Sequence, residues 1–360
     1  MKVLVIQDYL RCGGTEIQSI ALAEGFLQYG WESSLLTFRP GGSLAHVAME
    51  KGFMWNYLQK LIDLKLNWYA PGLVKYIHKL APDLLLLMGR EANSKASLLR
   101  KHFPQLPIIG TFRTGRTVPD RYSKSLSVCN HVVANSAWAS EKVRKLGVVE
   151  QDRLSVILNG VIHPFNHSNR DKLRAEVRAG RNLSDTTAFL MVASFRKGKN
   201  HTELFRIFKN FPGKWELWLV GEGPDKRAFL KTLNNFKFRD QVKDFGQISK
   251  LESLYFAADV GILPSREESL PNFLIECQMS GLPVIAYDCA GVGETFDDQK
   301  TGILIRQGDT EGFRDQLLNL MEDENLRSKM SKEARAWAVE RFDPKKRLQD
   351  WVNLIESVIN

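Results

Sequence analysis

The sequence contains two successive series of short, uniformly apolar segments, and this feature limits the possible folds more than any other. Helix-periodic segments fill most of the gaps between them. Strands that are apolar on both faces and alternate with helices form parallel sheets that are covered on both sides. The segments are residues 3–7, 33–38, 83–88, 107–112, 131–135 and 153–158, then residues 187–193, 216–221, 241–246, 259–264, 283–287 and 302–305. The pattern predicts an α/β protein with two doubly wound, Rossmann-like domains that face each other across a cleft.

The length of the chain also favours two domains, because 360 residues exceed what one hydrophobic core usually serves. The polar, proline-containing stretch 162–172 separates the two series and is the predicted hinge. We therefore place an N-terminal domain at residues 1–163 and a C-terminal domain at residues 164–343.

Cysteine usage and hydropathy exclude several classes of protein. The four cysteines are scattered and form no Cys-x2-Cys pair, which argues against a zinc site and a disulfide framework and suits a reducing cytoplasm. The opening residues "MKVLVIQDYL" are typical of a first strand and not of a signal peptide. The apolar run "LLLLM" is too short to span a membrane.

The net charge of +9 is unevenly distributed. Residues 1–165 carry 20 Lys and Arg against 12 Asp and Glu, a net charge of +8, whereas residues 166–360 carry 30 against 29. Basic runs interleaved with aromatic residues, as in nucleic-acid-binding proteins, are absent from the sequence. An anionic membrane surface or a phosphorylated acceptor fits the charge of the N-terminal half at least as well as nucleic acid does.

In doubly wound sheets, ligands bind beyond the carboxyl ends of the strands, so the residues after each strand are the candidate site. Gly13 and Gly14 follow the first strand and precede a helix whose N-terminus favours an anion. The dinucleotide fingerprint Gly-x-Gly-x-x-Gly is missing, because Leu10 stands where its first glycine belongs. This departure argues against a nicotinamide-dependent dehydrogenase.

In the C-terminal half, too, charged residues and glycines follow the predicted strands. A basic turn, "SFRKGKNH", follows the strand 187–193, and Gly221 and Gly223 follow the next one. The stretch "REESLPNFLIECQMSGLP" comes later; in it Pro271 is expected to begin a helix whose first amides, at residues 272–274, have no intrahelical partner. A basic turn and a helix N-terminus suit phosphates, and flanking carboxylates suit hydroxyl groups. These features together indicate a sugar nucleotide.

The segment "EESLPNFLIECQMSGLPVIAYDCAGVGETFDDQKTGILI" closely resembles the signature of glycosyltransferase family 4, a retaining family with the GT-B fold. The Glu-x7-Glu motif of that family falls on Glu268 and Glu276, and Pro271 stands where the family usually has a proline. The motifs "CGGTE", "ILNGV", "VASFRKGKNH" and "LVGEGP" follow the order of the family. The resemblance covers about the whole chain, and it implies that a last helix, residues 344–360, packs back onto the N-terminal domain.

The resemblance implies a role for each candidate residue. Glu276 would bind the ribose hydroxyls of the donor and Glu268 the hydroxyls of its sugar, while Arg196 and Lys199 would stabilise the departing diphosphate. The remaining donor-binding positions are Gly13, Gly14, Gly221, Gly223, Ser269, Leu270, Pro271 and Asn272. No metal ion or other cofactor is expected. The chain departs from the family at Arg113, a further candidate catalytic residue that stands where many members have a histidine, and at Ser194, where many have the phosphate-binding arginine.

The resemblance implies a cytoplasmic, metal-independent glycosyltransferase that moves a sugar from a nucleoside diphosphate, with uridine diphosphate favoured, to an acceptor hydroxyl with retention. We expect a hexosyl or N-acetylhexosaminyl transfer in the synthesis of cell-surface glycan or glycolipid, with the protein peripheral to the inner face of the membrane. Two alternatives remain at this point. One is a nucleotide-sugar epimerase of the same fold, and the other is a non-catalytic subunit that binds a sugar nucleotide.

Overall fold

The computed structural model describes residues 1–160, 165–248 and 251–359 and divides the chain into two compact units. The first, here the N-terminal unit, is Met1–Ile162 with Pro344–Asn360, and the second, the C-terminal unit, is His163–Asp343. The predicted boundary between residues 163 and 164 lies outside the described residues. Each unit contains its own parallel sheet with helices on both faces.

The N-terminal unit is built on a sheet of seven parallel strands in the order β3-β2-β1-β4-β5-β6-β7. The strands are β1 (Lys2–Gln7), β2 (Glu32–Thr37), β3 (Met54–Tyr57), β4 (Leu84–Leu87), β5 (Ile108–Phe112), β6 (His131–Ala134) and β7 (Leu154–Val156). The helices are α1 (Gly14–Gln28), α2 (Ala45–Glu50), α3 (Leu73–Leu80), α4 (Arg90–Asn93), α5 (Ala96–His102), α6 (Asp120–Leu126), α7 (Ala137–Leu146) and α15 (Pro344–Ile359).

The C-terminal unit has a sheet of six parallel strands in the order β10-β9-β8-β11-β12-β13. The strands are β8 (Thr187–Val192), β9 (Trp215–Val220), β10 (Val242–Asp244), β11 (Val260–Leu263), β12 (Val284–Asp288) and β13 (Gly302–Arg306). The helices are α8 (Arg170–Gly180), α9 (Leu204–Ile207), α10 (Lys226–Leu233), α11 (Glu252–Ala257), α12 (Asn272–Ser280), α13 (Thr310–Glu322) and α14 (Glu324–Phe342).

The sequence predicted every strand of the two sheets except β3, and the predicted doubly wound α/β class is confirmed. Strand β3 pairs with β2 alone and lies at the edge of its sheet. Its residues "MWNY" are half-buried or exposed, so the strand lacks the uniformly apolar character by which the others were recognised. An edge strand needs less apolar side-chain area than a central one.

Residues 165–172 of the predicted hinge at 162–172 do not form a linker. Phe165 packs against the C-terminal unit, with its ring 5.4 Å from that of Tyr255 and 5.7 Å from that of Phe256. Helix α8 begins at Arg170, still inside the predicted hinge. Residues 165–172 therefore belong to the C-terminal unit, because aromatic burial favours this packing over exposure to solvent.

Helix α15 completes the core of the N-terminal unit. Trp351, Val352 and Ile355 are buried in the apolar cluster that contains β1 residues Val3 and Val5. The last helix of the chain is thus packed on the first sheet, and its removal would expose that face of the sheet to water.

Candidate functional site

In the C-terminal unit the strand order reverses between β8 and β11, which makes this the switch point of the sheet. The chain runs outward to β9 and β10 on one side and to β12 and β13 on the other. Ligands of doubly wound sheets bind in the crevice that opens beyond the carboxyl ends of the strands at such a point. The basic turn 196–199 follows β8, and the loop 264–271 follows β11.

Backbone and amide hydrogen bonds join these two loops into one surface. The N–H of Arg266 donates to the carbonyl of Gly198 at 2.8 Å. Asn200, a buried residue with a φ of +55°, donates its side-chain amide to the carbonyl of Pro264 at 3.0 Å. The positions of the basic turn and of the acidic loop are therefore fixed relative to each other before any ligand binds.

Lys199 and Glu268 form an ion pair across this surface. The ammonium Nζ lies 2.5 Å from Oε1 of Glu268, whose residue exposure is 8%. Glu267, by contrast, is exposed. The structure thus brings together two of the residues identified from the motif, and in the free protein each one neutralises the other.

We expect Glu268→Gln to lower sugar transfer at least tenfold, whereas Glu267→Gln is expected to leave it within about twofold of the parent. The two substitutions remove one negative charge from adjacent positions of one loop, but only Glu268 is buried and paired with Lys199. Initial-rate kinetics of both variants check the assignment. Equal losses in the two variants, or a loss confined to Glu267→Gln, would show that the other acid carries the role.

Arg196 precedes Lys199 in the same turn, at an extended backbone position, and its side chain is half-buried. His201 follows the turn and is part of the core. Its ring stacks on that of Phe195 at 3.9 Å between centroids, and burial lowers its pKa to about 3, with the nearby Lys199 ammonium acting in the same direction. His201 is therefore a neutral packing residue, which leaves Arg196, Lys197 and Lys199 as the charged groups of the turn.

The N-terminus of α12 differs in one respect from the expectation. Pro271 lies just outside the helix as its N-cap residue, and the helix begins at Asn272. The prediction that the amide of Leu274 has no intrahelical partner is wrong, because this N–H donates to the carbonyl of Pro271 at 3.2 Å. The tighter first turn satisfies this donor. Ser269 and Leu270, which follow Glu268 in the sequence and precede the helix, are both buried.

Glu276 lies one turn further along α12 and is hydrogen-bonded to a residue that belongs to none of the sequence motifs. The hydroxyl of Tyr255, on α11, donates to Oε2 of Glu276. Burial raises the pKa of Glu276 to about 7, and the hydrogen bond from Tyr255 opposes this rise. One carboxylate oxygen is therefore oriented by the tyrosine, and the carboxyl group titrates near neutral pH.

Gly221 and Gly223 are explained by the approach of the neighbouring backbone. Gly221 has a φ of +141°, and a Cβ there would lie 2.2 Å from the carbonyl oxygen of Ala193. A Cβ at Gly223 would lie 2.3 Å from the carbonyl oxygen of Phe195. Both glycines thus let the loop after β9 pack against residues 193–195, which lead into the basic turn. Their predicted contact with the donor stays a prediction.

In the N-terminal unit, Gly13 is the N-cap of α1 and Gly14 its first residue. The carboxylate of Glu16, in the first turn, lies close to Gly13 and pairs with Arg11, whose Nε is 3.2 Å from Oε1. A carboxylate of the chain itself thus lies beside the helix end where an external anion was expected.

Arg113 follows β5, and its guanidinium donates to Oδ1 of Asn159, a buried residue that follows β7. Burial lowers the pKa of Arg113 to about 10, so the side chain stays charged at neutral pH. Within residues 1–160, 165–248 and 251–359, Arg113 forms no ion pair. A desolvated cation that is held by a neutral amide is a suitable partner for an anion.

Asp8, which belongs to none of the motifs described above, lies directly after β1 and is buried. Its carboxylate accepts hydrogen bonds from the amides of Glu91 at 3.1 Å and Ala92 at 2.7 Å, and burial raises its pKa to about 7. Asp8 therefore ties the loop after β1 to the start of α4, at the switch point of the first sheet. The sequence feature that could have indicated Asp8 is its position directly after a buried strand.

Two family models match the chain. Residues 12–163 match the model described as Glycosyltransferase Family 4, and residues 174–337 match Glycosyl transferases group 1. The chain belongs to the family 4-like glycosyltransferases of GT-B type.

This glycosyltransferase is similar to curated proteins at low identity. It is 29% identical over 180 residues to N-acetyl-alpha-D-glucosaminyl L-malate synthase of Bacillus anthracis, over 49% of this chain and 47% of that protein. It is 28% identical over 203 residues to the amylovoran biosynthesis glycosyltransferase AmsD of Erwinia amylovora, over 56% of each chain. The chain thus spans about half the length of these two relatives.

Solved structures show that the glycosyltransferase has the GT-B fold. Anabaena HepE in complex with UDP-glucose is similar with a TM-score of 0.84 and 18% identity, over 99% of this chain and all of that chain. Sucrose-phosphate synthase of Thermosynechococcus elongatus is similar with a TM-score of 0.82 and 19% identity, over 99% of both chains. At this identity the likeness concerns the fold alone.

Proposed function

We propose that this glycosyltransferase transfers a sugar from a nucleoside diphosphate to an acceptor hydroxyl, with retention and without a metal ion. The observation that carries the proposal is the surface at the second switch point. There the Lys199–Glu268 pair joins two loops, and Glu276 lies on the helix that follows one of them. Within one unit, the cations and the helix N-terminus suit the diphosphate, and the carboxylates suit the hydroxyl groups of the sugar and the ribose.

Each part of the surface has a chemical task in the proposed reaction. The bond between the anomeric carbon and the diphosphate oxygen breaks, and charge develops on the departing diphosphate. Arg196 and Lys199 stabilise that charge more in the transition state than in the bound donor. The acceptor oxygen forms its bond to the anomeric carbon on the face that the diphosphate leaves, and its proton passes to a diphosphate oxygen.

Glu268 and Glu276 bind the neutral parts of the donor. When the donor enters, Lys199 turns from Glu268 toward the diphosphate, and Glu268 accepts hydrogen bonds from the sugar hydroxyls instead. Glu276 accepts hydrogen bonds from the two ribose hydroxyls while Tyr255 keeps its carboxylate oriented. Exchanging one set of partners for another keeps the buried charge of Glu268 compensated in both states.

Uridine diphosphate is the donor nucleotide to test first, because HepE, which shares the fold, has been solved with UDP and with UDP-glucose. A hexosyl or N-acetylhexosaminyl group is the sugar that we propose to be transferred. We place the acceptor on the N-terminal unit, where Arg113 offers a desolvated cation. An anionic acceptor fits this group, and the synthesis of cell-surface glycan or glycolipid would supply one.

A panel of nucleoside diphosphate sugars, incubated with the protein in EDTA, tests the proposal through the release of free nucleoside diphosphate. Release that depends on an acceptor fraction supports the transferase. An isomerised donor without release would identify an epimerase of the same fold. Binding without any turnover, with every acceptor fraction, would indicate a non-catalytic subunit.

Arg113→Ala is expected to lower transfer at least tenfold while leaving the affinity for nucleoside diphosphate unchanged, because Arg113 belongs to the N-terminal unit and the donor to the C-terminal unit. Arg116→Ala, in the same loop but with an exposed side chain, serves as the matched control. The KM for the acceptor and the Kd for the donor separate the two effects. A weaker donor affinity in Arg113→Ala would contradict its placement at the acceptor.

None of the helices in the part of the chain that the structure describes is long and apolar enough to cross a membrane. Peripheral contact with an anionic membrane remains part of the proposal.

A further inference from the structure

The segment after β3, residues 58–70 and here called the apolar loop, exposes an unusual amount of apolar side chain. Leu61 is 98% exposed and Ile62 is 70% exposed. The exposed apolar residues of the loop are Leu61, Ile62, Leu64, Leu66, Trp68 and Tyr69. Single exposed apolar residues are ordinary, but a contiguous group of this size marks an interaction surface.

The apolar loop is anchored in this conformation by polar groups beneath it. Arg39 donates from Nε and Nη2 to the two carboxylate oxygens of Asp63, at 2.8 and 2.9 Å, and from Nη1 to Asn67 at 2.9 Å. Gln59 is buried and donates to the carbonyl of Leu66 at 2.9 Å. The exposure of the leucines is therefore a property of an ordered loop, so binding through it costs little conformational entropy.

The net charge around the apolar loop is positive. Lys60 and Lys65 lie within the loop, Lys75 and Lys79 lie on the following helix α3, and all four are exposed. Asp63 is the only acidic residue between positions 58 and 80, and Arg39 neutralises it. Exposed apolar side chains surrounded by lysines are complementary to an apolar surface that carries negative charge.

The apolar loop also lies at the relevant edge of the sheet. It follows β3, which is parallel to the other strands, so it lies at their carboxyl edge together with Arg113 after β5. Strand β5 is four places from β3 in the sheet, which corresponds to about 19 Å at the usual strand spacing. A surface that binds the loop would therefore be near the proposed acceptor position.

We propose that the apolar loop docks the N-terminal unit onto an anionic lipid bilayer. Its aliphatic side chains insert between the lipid headgroups, Trp68 and Tyr69 lie at the level of the interface, and the lysines contact anionic headgroups. This inference rests on the proposed function. It adds the surface from which the enzyme would take its acceptor, namely an anionic lipid bilayer.

Sedimentation of the protein with vesicles tests the proposal. We expect binding to phosphatidylcholine vesicles that contain phosphatidylglycerol, weak binding to phosphatidylcholine alone, and loss of binding as salt rises above physiological strength. Leu61→Ser combined with Ile62→Ser and Leu64→Ser is expected to lower partitioning about tenfold or more. The exposed Leu98→Ser and Lys101→Glu, on α5, are matched controls that keep binding.

A second variant tests the anchoring separately from the apolar area. Gln59→Ala keeps every exposed leucine and every charge of the loop but removes the hydrogen bonds from the side chain to the carbonyls of Leu66 and Tyr69, so binding is expected to fall while the unfolding temperature changes by a few degrees at most. Undiminished vesicle binding by the triple serine variant would overturn the proposal. So would a self-association without lipid that the triple variant abolishes, because the loop would then bind a second copy of the chain.

Titration with UDP in the absence of vesicles distinguishes failure of this inference from failure of the proposed function. The loop variants are expected to bind UDP as the parent does, because the loop belongs to the other unit. Normal UDP binding together with absent vesicle binding would overturn the membrane inference alone.

Discussion

Glu276→Ala should weaken the binding of the donor nucleotide about 10- to 150-fold while the protein remains folded. Two hydrogen bonds between a carboxylate and the ribose hydroxyls are lost, and at about 0.7–1.5 kcal/mol each their loss of about 1.4–3 kcal/mol corresponds to this range. Isothermal titration with the nucleoside diphosphate measures the change directly. The exposed Glu322→Gln, on α13, controls for a general effect of removing a negative charge from the C-terminal unit.

The pH dependence of the same site should follow Glu276. Its pKa of about 7 lies above the ordinary value of 4.5, so the carboxyl gains protons as the pH falls below neutral. The ionised form accepts the ribose hydrogen bonds, and donor affinity is therefore expected to fall below about pH 7. Glu276→Gln should bind weakly at every pH and should lack this dependence. A pH profile identical in parent and variant would exclude Glu276 as the titrating group.

The contribution of Glu276 to folding stability should change with pH in the direction opposite to its contribution to donor affinity. A carboxyl whose pKa is raised by burial stabilises the fold fully below its unfolded pKa, and this contribution is lost as the pH rises through the folded pKa. Glu276→Gln is therefore expected to be more stable than the parent at pH 8, by about 1–3 kcal/mol, and equally stable near pH 4.5. Urea denaturation of the ligand-free proteins at both pH values checks this. A gain in stability with a loss of binding is the expected mark of a carboxylate retained for function.

Lys199→Ala should lower kcat about 100-fold, and more than it weakens donor binding. The lysine loses its stabilising contact with the departing diphosphate, and Glu268 remains buried without its cation. Arg196→Ala is expected to act in the same direction. Lys197→Ala is the matched control, because Lys197 belongs to the same turn but is exposed. Pre-steady-state measurement of one turnover separates the chemical step from product release.

A loss confined to KM would contradict the proposed role of the two cations. They would then bind the ground state and the transition state equally, and the stabilisation of the leaving group would have to come from elsewhere. An equal loss in Lys197→Ala would show that the charge of the whole turn matters and not the position of Lys199.

Much of the fold could be predicted because parallel, doubly wound sheets produce apolar strands that are visible in the sequence. The exception was β3, whose half-exposed residues resemble a loop. The position of Lys199 and Glu268 at the switch point could be predicted because each follows a buried strand, and their role as ligand groups stays a prediction. Their direct pairing was not, since 69 residues separate them in the sequence.

Other parts of the site depend on packing that the sequence does not display. Tyr255 meets Glu276 because α11 packs beside α12, and neither spacing nor residue type indicates this contact. The glycines at 221 and 223 were interpreted as room for a ligand, whereas a neighbouring loop already approaches them. The tight turn that satisfies the Leu274 amide likewise became visible only in the structure.

Isothermal titration of UDP, GDP and ADP into the parent protein in EDTA tests the central claim most directly, namely that the C-terminal unit binds a nucleoside diphosphate without a metal ion. We expect one saturable site per chain, with UDP bound most tightly and with the affinity lowered at least tenfold in Glu276→Ala. Binding of none of the three nucleotides and none of their sugars, or binding that appears only when a divalent cation is added, would contradict the claim.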